Sequence, residues 1–355
     1  MSAPLRFGLV GAGRIADTYV QAFAGLSDLA EIAGVADVRP EAASALARRL
    51  GCPAFASHRA MSLACTLDAV VVCTPPVTHP EIALHFLRRG VHVLCEKPLS
   101  IDIRSARLMA FGARRSGALL AMASKFRYAD DVIQARRLVE SGAIGEIVEA
   151  ENSFTSRVDM AARWNSDPAL SGGGVLIDNG THSADLMRLF LGPLADVQVV
   201  AGARVQGLAV EESVRLFVRN ARGIPGSIDL SWSVSRETDA YLTLYGTEGT
   251  LQVGWRESRH RRTADAARDA AGAAWVPFGG GYDKLQAFRS QIGNFVRAAR
   301  GEEELGITME DALASVEVVE AAYRSLHAGR WTAVGAAPDR LRRPRGLALV
   351  SGDGA

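Results

Sequence analysis

Two separated segments of the sequence carry side chains that move protons in enzymes. Asp178 and His182 lie four positions apart, so a helix that begins near residues 178–180 places them on one face. A carboxylate beside an imidazole orients the ring and supports its protonated form, as general acid–base chemistry requires. The alternative is structural, with Asp178 as a helix cap and His182 satisfied in the core. These residues alone leave both interpretations open, and Asp185 is a further candidate partner.

The second segment is Glu96-Lys97-Pro98, which directly follows the apolar run 91–95. If that run is a strand of an open parallel sheet, Lys97 lies at its carboxyl end, where such sheets bind ligands. Of the 40 basic residues only three are lysines, at positions 97, 125 and 284. An arginine stays charged at every relevant pH, whereas a lysine amine can give up its proton. The scarcity of lysine therefore favours chemistry at Lys97 over an ordinary surface charge.

A glycine-rich turn near the start of the chain predicts a site for phosphate groups. Gly11-Ala12-Gly13-Arg14-Ile15-Ala16 follows a short apolar run and opens a helical pattern. Gly11 allows a tight turn, and Gly13 lets a pyrophosphate approach the backbone where the helix N-terminus offers free N–H groups. Asp37 ends the next apolar run, where a carboxylate accepts hydrogen bonds from the ribose of a dinucleotide. The alternative, a glycine turn without a nucleotide, fits poorly with Asp37 at that position.

Asp37 also bears on the choice of cofactor. Its negative charge repels the 2′-phosphate of NADP, which favours NAD. Arg39 lies two residues further on and weakens that preference, so NADP stays open as an alternative. Thr74-Pro75-Pro76 ends another strand-like run at the same edge of the sheet and forms a stiff wall. The residues expected to bind the dinucleotide are Gly11, Gly13, Arg14, Ile15, Asp37, Thr74, Pro75, His79, Glu96 and Lys97.

These residues need secondary structure that brings them to one edge of a sheet. Runs of β-branched residues such as 68–73 are too short for helices and predict buried parallel strands, which alternate with helical patterns. Beyond about residue 127 the strands lengthen and alternate polar with apolar residues, which indicates an antiparallel sheet. We therefore expect an α/β fold with a doubly wound parallel sheet over 1–126, an α+β domain over 127–335 and a poorly ordered tail over 336–355.

Two further features of the second domain are predicted. Gly246-Thr247-Glu248-Gly249 lies between two strand-like runs and predicts a hairpin turn. Segment 256–274 contains five arginines and no aromatic residue, and we expect a solvated loop there rather than a phosphate contact. Both lie away from the motifs that carry the chemistry.

Charge balance and the lack of long apolar runs limit the class of protein. The 355 residues carry 40 basic and 39 acidic side chains, which argues against binding to nucleic acid or to an anionic membrane. No stretch approaches the roughly 18 apolar residues of a membrane span, and the N-terminus lacks the apolar core of a signal peptide. The four cysteines form no C-x-x-C pair, and no metal site is expected. We expect a cytoplasmic enzyme that acts on a small molecule.

Together the motifs resemble the Gfo/Idh/MocA family, the relatives of glucose–fructose oxidoreductase and inositol dehydrogenase. The glycine motif, Glu96-Lys97-Pro98 and the pattern G-G-x-x-x-D-x-G-x-H at 173–182 follow in the family's order, and the resemblance covers about residues 5–335. It implies a Rossmann domain, then a domain with a large, mostly antiparallel sheet whose exposed face often forms homodimers or homotetramers. It also implies NAD(P)-dependent oxidation or reduction of a sugar, an inositol, a uronate or a nucleotide sugar.

The resemblance also implies roles for individual residues. His182, supported by Asp178, would take the hydroxyl proton while Lys97 offsets the developing negative charge, although the formal base stays open between Lys97 and His182. The corresponding Lys–Pro bond is often cis in relatives. Lys125 lies near the cleft, where it contacts a ligand or, alternatively, forms a structural ion pair. Arg157 and Arg163 could face an anionic group of the substrate. The expected substrate contacts are Lys125, Arg157, Arg163 and Trp164.

Two other functions are compatible with parts of the sequence. One is an NADP-linked reductase of an imine, a ketone or a diol-derived carbonyl, which a cofactor titration would distinguish through Asp37. The other is a dinucleotide-binding regulator without chemistry, a kind of protein that the family includes. The set of Lys97, Asp178 and His182 argues against the regulator, because a sensor needs no group that handles protons.

Overall fold

The computed structural model describes residues 3–236, 238–263 and 274–335. The strands of its N-terminal sheet are β1 (Leu5–Val10), β2 (Ala30–Ala36), β3 (Ala54–Phe55), β4 (Ala69–Val72), β5 (His92–Glu96) and β6 (Leu120–Ala123). All neighbours pair in parallel, in the order β3-β2-β1-β4-β5-β6. The order reverses between β1 and β4, and a doubly wound sheet binds its ligand at that point. The predicted parallel sheet is confirmed.

Among the described residues, five helices connect these strands. They are α1 (Arg14–Phe23), α2 (Pro40–Leu50), α3 (His58–Ala64), α4 (His79–Leu87) and α5 (Ile103–Ser116). Local sequence sets their ends, as at α2, where Pro40 is the first residue and Gly51 ends the helix with φ +67°. All four residues of β4 are buried, as a sheet with helices on both faces requires.

The second sheet is mostly antiparallel, as expected. Its strands are β7 (Ile147–Thr155), β8 (Leu194–Ala201), β9 (Ser213–Asn220), β10 (Pro225–Ser231), β11 (Ala240–Gly246), β12 (Gly249–Gly254), β13 (Ser258–Arg262), β14 (Val276–Gly279) and β15 (Thr332–Ala333). They lie in the order β14-β13-β12-β11-β7-β10-β9-β8-β15, with β7 and β10 paired in parallel. The predicted hairpin at 246–249 is confirmed, because it joins the antiparallel strands β11 and β12.

Helices cover one face of the second sheet. The helices of this part are α6 (Asp130–Glu140), α7 (Pro168–Ser171), α8 (Val175–Leu191), α9 (Lys284–Ala299) and α10 (Met309–Ala328). α8 packs on β7, β9 and β10, and α10 packs on β8 and α8. α8 begins at Val175, ahead of the predicted start at 178–180, so Asp178 and His182 both lie in its first half. The opposite face of the sheet exposes Val200 and Phe217.

The helix α9 returns from the second sheet to the first. The ring centroid of Phe295 lies 6.0 Å from that of Phe7 in β1, and that of Phe288 lies 4.9 Å from that of Tyr19 in α1. All four side chains are buried. α9, which follows β14 in the chain, therefore completes the core around β1. The sequence pattern did not predict that a helix of the second part would pack on the first sheet.

Part of the arginine-rich segment differs from the expected loop. Residues 258–262 form β13, paired with β12 and β14. The guanidinium groups of Arg259 and Arg261 lie 4.7 and 4.6 Å from the ring centroid of Trp275, so stacking accommodates their charge on a strand. Residues 264–273 of this segment and the tail 336–355 lie outside the described residues. In the described part of the chain, no helix is long and apolar enough to cross a membrane.

Candidate active site

A cavity of about 1170 Å³ runs along the carboxyl ends of β1, β4 and β5 and continues to α8. It exceeds the roughly 300–1,000 Å³ typical of a site for one small ligand, which suits a dinucleotide together with a second molecule. The expected site residues in its walls are Gly11, Gly13, Arg14, Ile15, Asp37, Thr74, Pro75, Glu96, Lys97, Lys125, Arg163, Trp164, Asp178 and His182.

The turn after β1 has the shape that a phosphate group requires. Gly11 has φ +99°, and a Cβ there would stand 2.8 Å from the carbonyl group of Cys73, so this position needs glycine. A Cβ at Gly13 would meet no atom within 4 Å, which leaves space for a ligand beside the backbone. α1 begins at the next residue, so its N-terminal N–H groups are available to an anion.

The carboxylate of Asp37 closes the same turn. One oxygen accepts a hydrogen bond from the N–H of Ala12 at 2.7 Å, and the other accepts one from the N–H of Arg39 at 2.8 Å. The Arg39 guanidinium lies 3.2 Å from the same carboxylate. Burial by itself raises the pKa of Asp37, but the hydrogen bonds from Arg39 and Ala12 outweigh burial and lower that pKa. Asp37 is therefore ionised and held in place beside the glycine turn.

His79 lies behind the cavity and is fully buried. Its Nδ1 lies 2.9 Å from the carbonyl oxygen of Pro98, and its Nε2 lies 2.9 Å from that of Thr74. Burial lowers the pKa of this histidine. The ring thus joins the loop after β4, which carries Thr74 and Pro75, to the loop after β5, which carries Lys97.

Lys97 and Asp178 form an ion pair across the two parts of the molecule. The Lys97 Nζ lies 2.5 Å from the Asp178 carboxylate and 3.0 Å from its backbone carbonyl oxygen. The Lys97–Pro98 peptide bond is cis. Behind this pair, Glu96 accepts hydrogen bonds from the hydroxyl of Tyr19 at 2.9 Å and from the N–H of Lys97 at 3.2 Å. Burial raises the pKa of Glu96, and the charge of Lys97 opposes that rise.

His182 lies one turn beyond Asp178, but among the described residues the two side chains share no hydrogen bond. Within the same part of the chain, its buried Nδ1 has no hydrogen-bond partner, and its ring meets that of Phe126 edge-on at 5.0 Å. Burial, together with the charges of Lys97 and Lys125, holds the pKa of His182 well below its usual range. The ring is therefore neutral at physiological pH. Asp178 contacts Lys97 instead, because a carboxylate gains more from an ammonium than from a neutral imidazole.

The N-terminus of α8 is fixed by a carboxylate that the sequence analysis did not identify. Glu211 accepts hydrogen bonds from the N–H of Gly174 at 2.9 Å and from the hydroxyl of Tyr323 at 2.8 Å. A negative charge at this position also stabilises the helix dipole. A Cβ at Gly173 would collide with the Tyr323 hydroxyl, which explains a glycine two residues before the helix.

Asp185 joins α8 to the end of the first sheet. Its carboxylate pairs with Arg127 at 2.7 Å and accepts a hydrogen bond from the hydroxyl of Ser124. Arg127 also pairs with Asp311 of α10 at 3.0 Å. The side chains of Arg127 and Asp185 are only 7% and 1% exposed, so this is a buried ion cluster. Asp185 therefore holds α8 against β6 and does not serve as the partner of His182 that the sequence suggested.

Six aromatic side chains line the cavity, and two of them, Phe126 and Phe154, lie beside His182. The six are Phe126, Phe154, Trp164, Trp232, Trp255 and Phe288. Arg163 lies in the same wall, whereas Arg157 is exposed and lies outside it. Lys284, which the sequence analysis left without a role, lies in the wall as well. These residues come from distant elements and form no local motif, so the rarity of lysine was the one signal available for Lys284.

Comparison with known proteins places these features in a family. One family model, described as an oxidoreductase family with an NAD-binding Rossmann fold, matches residues 5–124, and the GFO/IDH/MocA C-terminal domain matches residues 132–252. The rhizopine catabolism protein MocA of Rhizobium meliloti is 31% identical over 327 residues, which cover 90% of this chain and 95% of that protein. The chain belongs to the Gfo/Idh/MocA oxidoreductase family.

One further relative and one solved structure are similar over nearly the whole chain. Inositol 2-dehydrogenase of Rhizobium meliloti strain 1021 is 27% identical over 342 residues, 91% of this chain and 97% of that protein. The structure of levoglucosan dehydrogenase in complex with NADH and levoglucosan has a TM-score of 0.86 at 21% identity and covers 94% of this chain and 100% of that chain. The predicted family is confirmed, and the predicted NAD-binding fold with it. No group of three or more potential metal ligands occurs among the described residues.

Proposed function

We propose that this Gfo/Idh/MocA protein is an NAD-dependent dehydrogenase that acts on a CH–OH group of a sugar, an inositol, a uronate or a nucleotide sugar. The observation that carries the proposal is the meeting of Lys97, Asp178 and a neutral His182 in the cavity that also holds the glycine turn and Asp37. The substrate class is supported by relatives named inositol 2-dehydrogenase and levoglucosan dehydrogenase.

One end of the cavity fits the dinucleotide. Gly13 leaves the backbone open to a pyrophosphate, and the ionised Asp37 is positioned to accept a ribose hydroxyl. Thr74 and Pro75 lead from there towards Lys97. Asp37 disfavours a 2′-phosphate, and the Arg39 guanidinium that could compensate is already paired with it. A dinucleotide held here by Gly13 and Asp37 would supply the acceptor or donor of the hydride, and we expect NAD to be preferred over NADP.

His182 and Lys97 divide the remaining chemistry between them. In oxidation the neutral His182 accepts the proton of the substrate hydroxyl. The Lys97 ammonium donates a hydrogen bond to the same oxygen and offsets the negative charge that develops there. Asp178 holds Lys97 in position through the 2.5 Å contact. In the reverse direction His182 returns the proton to the carbonyl oxygen.

A spectrophotometric screen tests the proposed activity. Sugars, inositols, uronates and nucleotide sugars are offered with NAD and with NADP, and the absorbance of the reduced nicotinamide is followed. We expect NADH to form with at least one class and its formation to depend on Lys97 and His182. Silence with every class would favour a dinucleotide-binding regulator. A parallel assay follows the oxidation of NADPH with imines and ketones, and activity in that assay alone would favour the reductase.

We also propose which residues contact the substrate. Lys125, Arg163 and Trp164 lie in the cavity wall. We include Arg157 among the proposed contacts because it lies six residues before Arg163 in the sequence. Because Arg163 lines the cavity and Arg157 does not, Arg163→Ala should raise the substrate KM more than Arg157→Ala. Equal KM values in both variants and the unaltered protein would remove the arginines from the substrate site.

Assembly and location complete the proposal. We propose a cytoplasmic homodimer or homotetramer built on the open face of the second sheet, with a domain division near residue 126. Phe217 is 42% exposed on that face, and the ion pairs Arg215–Asp229 and Arg219–Asp196 lie on neighbouring strands. All four cysteines are free, as in a reducing compartment. Light scattering should show that Phe217→Glu weakens the oligomer, and an unchanged mass would exclude this face.

A further inference from the structure

All three lysines of the chain lie in the wall of the cavity described above. Lys97 pairs with Asp178 at 2.5 Å, whereas among the described residues no carboxylate lies within 4.0 Å of the amine of Lys125 or Lys284. These two amines lie 5.9 and 5.8 Å from the centroid of the same ring, Phe288. Two cations thus border one space beside the ion pair of the proposed catalytic site.

The Lys125 amine is buried among aromatic rings, so keeping it charged without a carboxylate partner costs free energy. The Lys125 Nζ also lies 5.2 and 5.8 Å from the ring centroids of Phe126 and Tyr282, and these rings displace water from it. The buried hydroxyl of Tyr282 has no hydrogen-bond partner in the described part of the chain. Burial and the charges of Lys97 and Lys284 lower the pKa of Lys125 to about 8, although Glu96 opposes them. A bound anion would offset this cost by pairing with the cation.

We propose that Lys125 and Lys284 bind a carboxylate of the substrate, so that the enzyme acts on an acidic sugar of the uronic acid type. This inference rests on the proposed function, since it assigns the substrate of the same cavity. The pyrophosphate of the dinucleotide is assigned by the proposed function to the open glycine turn before α1. A carboxylate suits the aromatic wall better than a phosphate, because removing a single charge from water costs less than removing a double charge.

Selective ¹⁵N labelling of lysine tests the binding step without any turnover. The chain contains only three lysines, so the side-chain resonances are few and are assigned with Lys125→Gln and Lys284→Gln. The NADH-loaded protein is titrated with D-glucuronate and D-galacturonate, with D-glucose and D-galactose, and with D-glucose 6-phosphate. We expect a uronate to shift the resonances of Lys125 and Lys284 and the neutral sugars to leave them in place. A response to the phosphate alone, or no response of either amine, overturns the proposal.

Turnover separates this inference from the proposed function. We expect kcat/KM for a uronate to exceed that for the matched neutral sugar by at least about tenfold, and Lys284→Gln to reduce that preference by about fivefold or more. Lys284→Arg should restore part of it. Arg136→Gln removes an exposed cation of α6 that pairs with Glu140, and it should leave the preference unchanged.

Three results discriminate between the explanations. Equal losses towards acid and neutral sugars in Lys284→Gln would indicate a structural role and overturn the inference. A matching rise in the dissociation constant of NADH would indicate a cofactor contact and also overturn it. Binding of a uronate at the two amines without oxidation of any sugar would leave the anion site standing and refute the proposed function.

Discussion

The two ends of the cavity differ in how their charged side chains are paired. At the dinucleotide end the carboxylates of Asp37 and Glu81 are paired with Arg39 and Arg59, whereas Arg14 has no carboxylate within 4.0 Å among the described residues. At the other end Lys97 is paired, but no carboxylate among the described residues lies within 4.0 Å of the other two lysine amines. The first end is preorganised to bind through backbone N–H groups and one carboxylate. If the second end binds an anionic substrate, as proposed above, substrate binding should respond to pH and salt more than cofactor binding.

The two ends also differ in how the chain builds them. The glycine turn, Asp37 and Arg39 come from one stretch of about 30 residues. Lys97 and Asp178 are 81 residues apart in the sequence, and α9 contributes Lys284 from a third region. A change at the junction of the two sheets should therefore disturb the substrate end and spare the dinucleotide end.

The largest effect should come from the proposed catalytic residues. Lys97→Ala and His182→Ala should each lower kcat by about a hundredfold or more, because each removes a group that handles the proton or the charge on the reacting oxygen. Fluorescence titration should show that both variants still bind NADH. Added imidazole should restore part of the activity of His182→Ala if that ring is the base. Near-normal turnover in both variants would contradict the assignment.

Breaking the buried junction should be the next largest effect. Asp185→Ala leaves Arg127 buried with one partner fewer, which should lower the free energy of unfolding by about 3–5 kcal/mol. Denaturant unfolding measures this, and kcat should fall while NADH affinity is retained. Arg107→Ala is the control, because it removes an exposed ion pair with Glu317 and should cost less than about 1 kcal/mol. Equal losses in the two variants would argue against a special role of the junction.

A smaller effect is expected at the dinucleotide end. Asp37→Asn removes the charge that repels a 2′-phosphate and frees Arg39, so the preference for NAD over NADP should fall by about tenfold. Calorimetric titration with both dinucleotides measures the preference. Asp17→Asn removes an exposed carboxylate of α1 and should leave the preference unchanged. If the unaltered protein binds NADP far more tightly than NAD, Asp37 does not have the proposed role.

The smallest effect is a dependence on pH. The pKa of Lys125 is lowered to about 8, so its amine is charged below that pH and loses its charge as the pH rises through it. The ratio of kcat/KM for a uronate to that for the matched neutral sugar should therefore fall several-fold between about pH 7 and 9, since kcat/KM reports the free enzyme. His182, with a pKa below its usual range, stays neutral over this interval and contributes no change. A ratio that does not change with pH would show that Lys125 does not bind the charged group of the substrate.

Local sequence predicted the elements whose ends are set by single residues. Pro40 and Gly51 bound α2 through the fixed φ of proline and the left-handed conformation of glycine. The position of Asp37 followed from the same logic, because the carboxyl end of β2 adjoins the glycine turn in a doubly wound sheet. These signals lie within a few residues of the feature they predict.

The contacts that complete the site depend on distant parts of the chain. The i,i+4 spacing placed Asp178 and His182 on one face correctly, but the choice of partner was decided by Lys97, which only the tertiary structure brings within 2.5 Å. Glu211, Lys284 and the aromatic wall left no local pattern for the same reason. The prediction of a solvated loop over 256–274 rested on its arginine content. Part of the segment forms β13 instead, because Arg259 and Arg261 stack on Trp275.

The return of α9 to the first sheet has a consequence for synthesis on the ribosome. Phe7 and Phe295 are in contact although about 290 residues separate them in the chain. At about 5–20 residues per second, the N-terminal strands emerge some fifteen seconds to a minute before the helix that covers them. During that time the apolar surface around β1 and Tyr19 faces solvent or a chaperone. The dinucleotide-binding half therefore reaches its final stability only after the substrate half has been made.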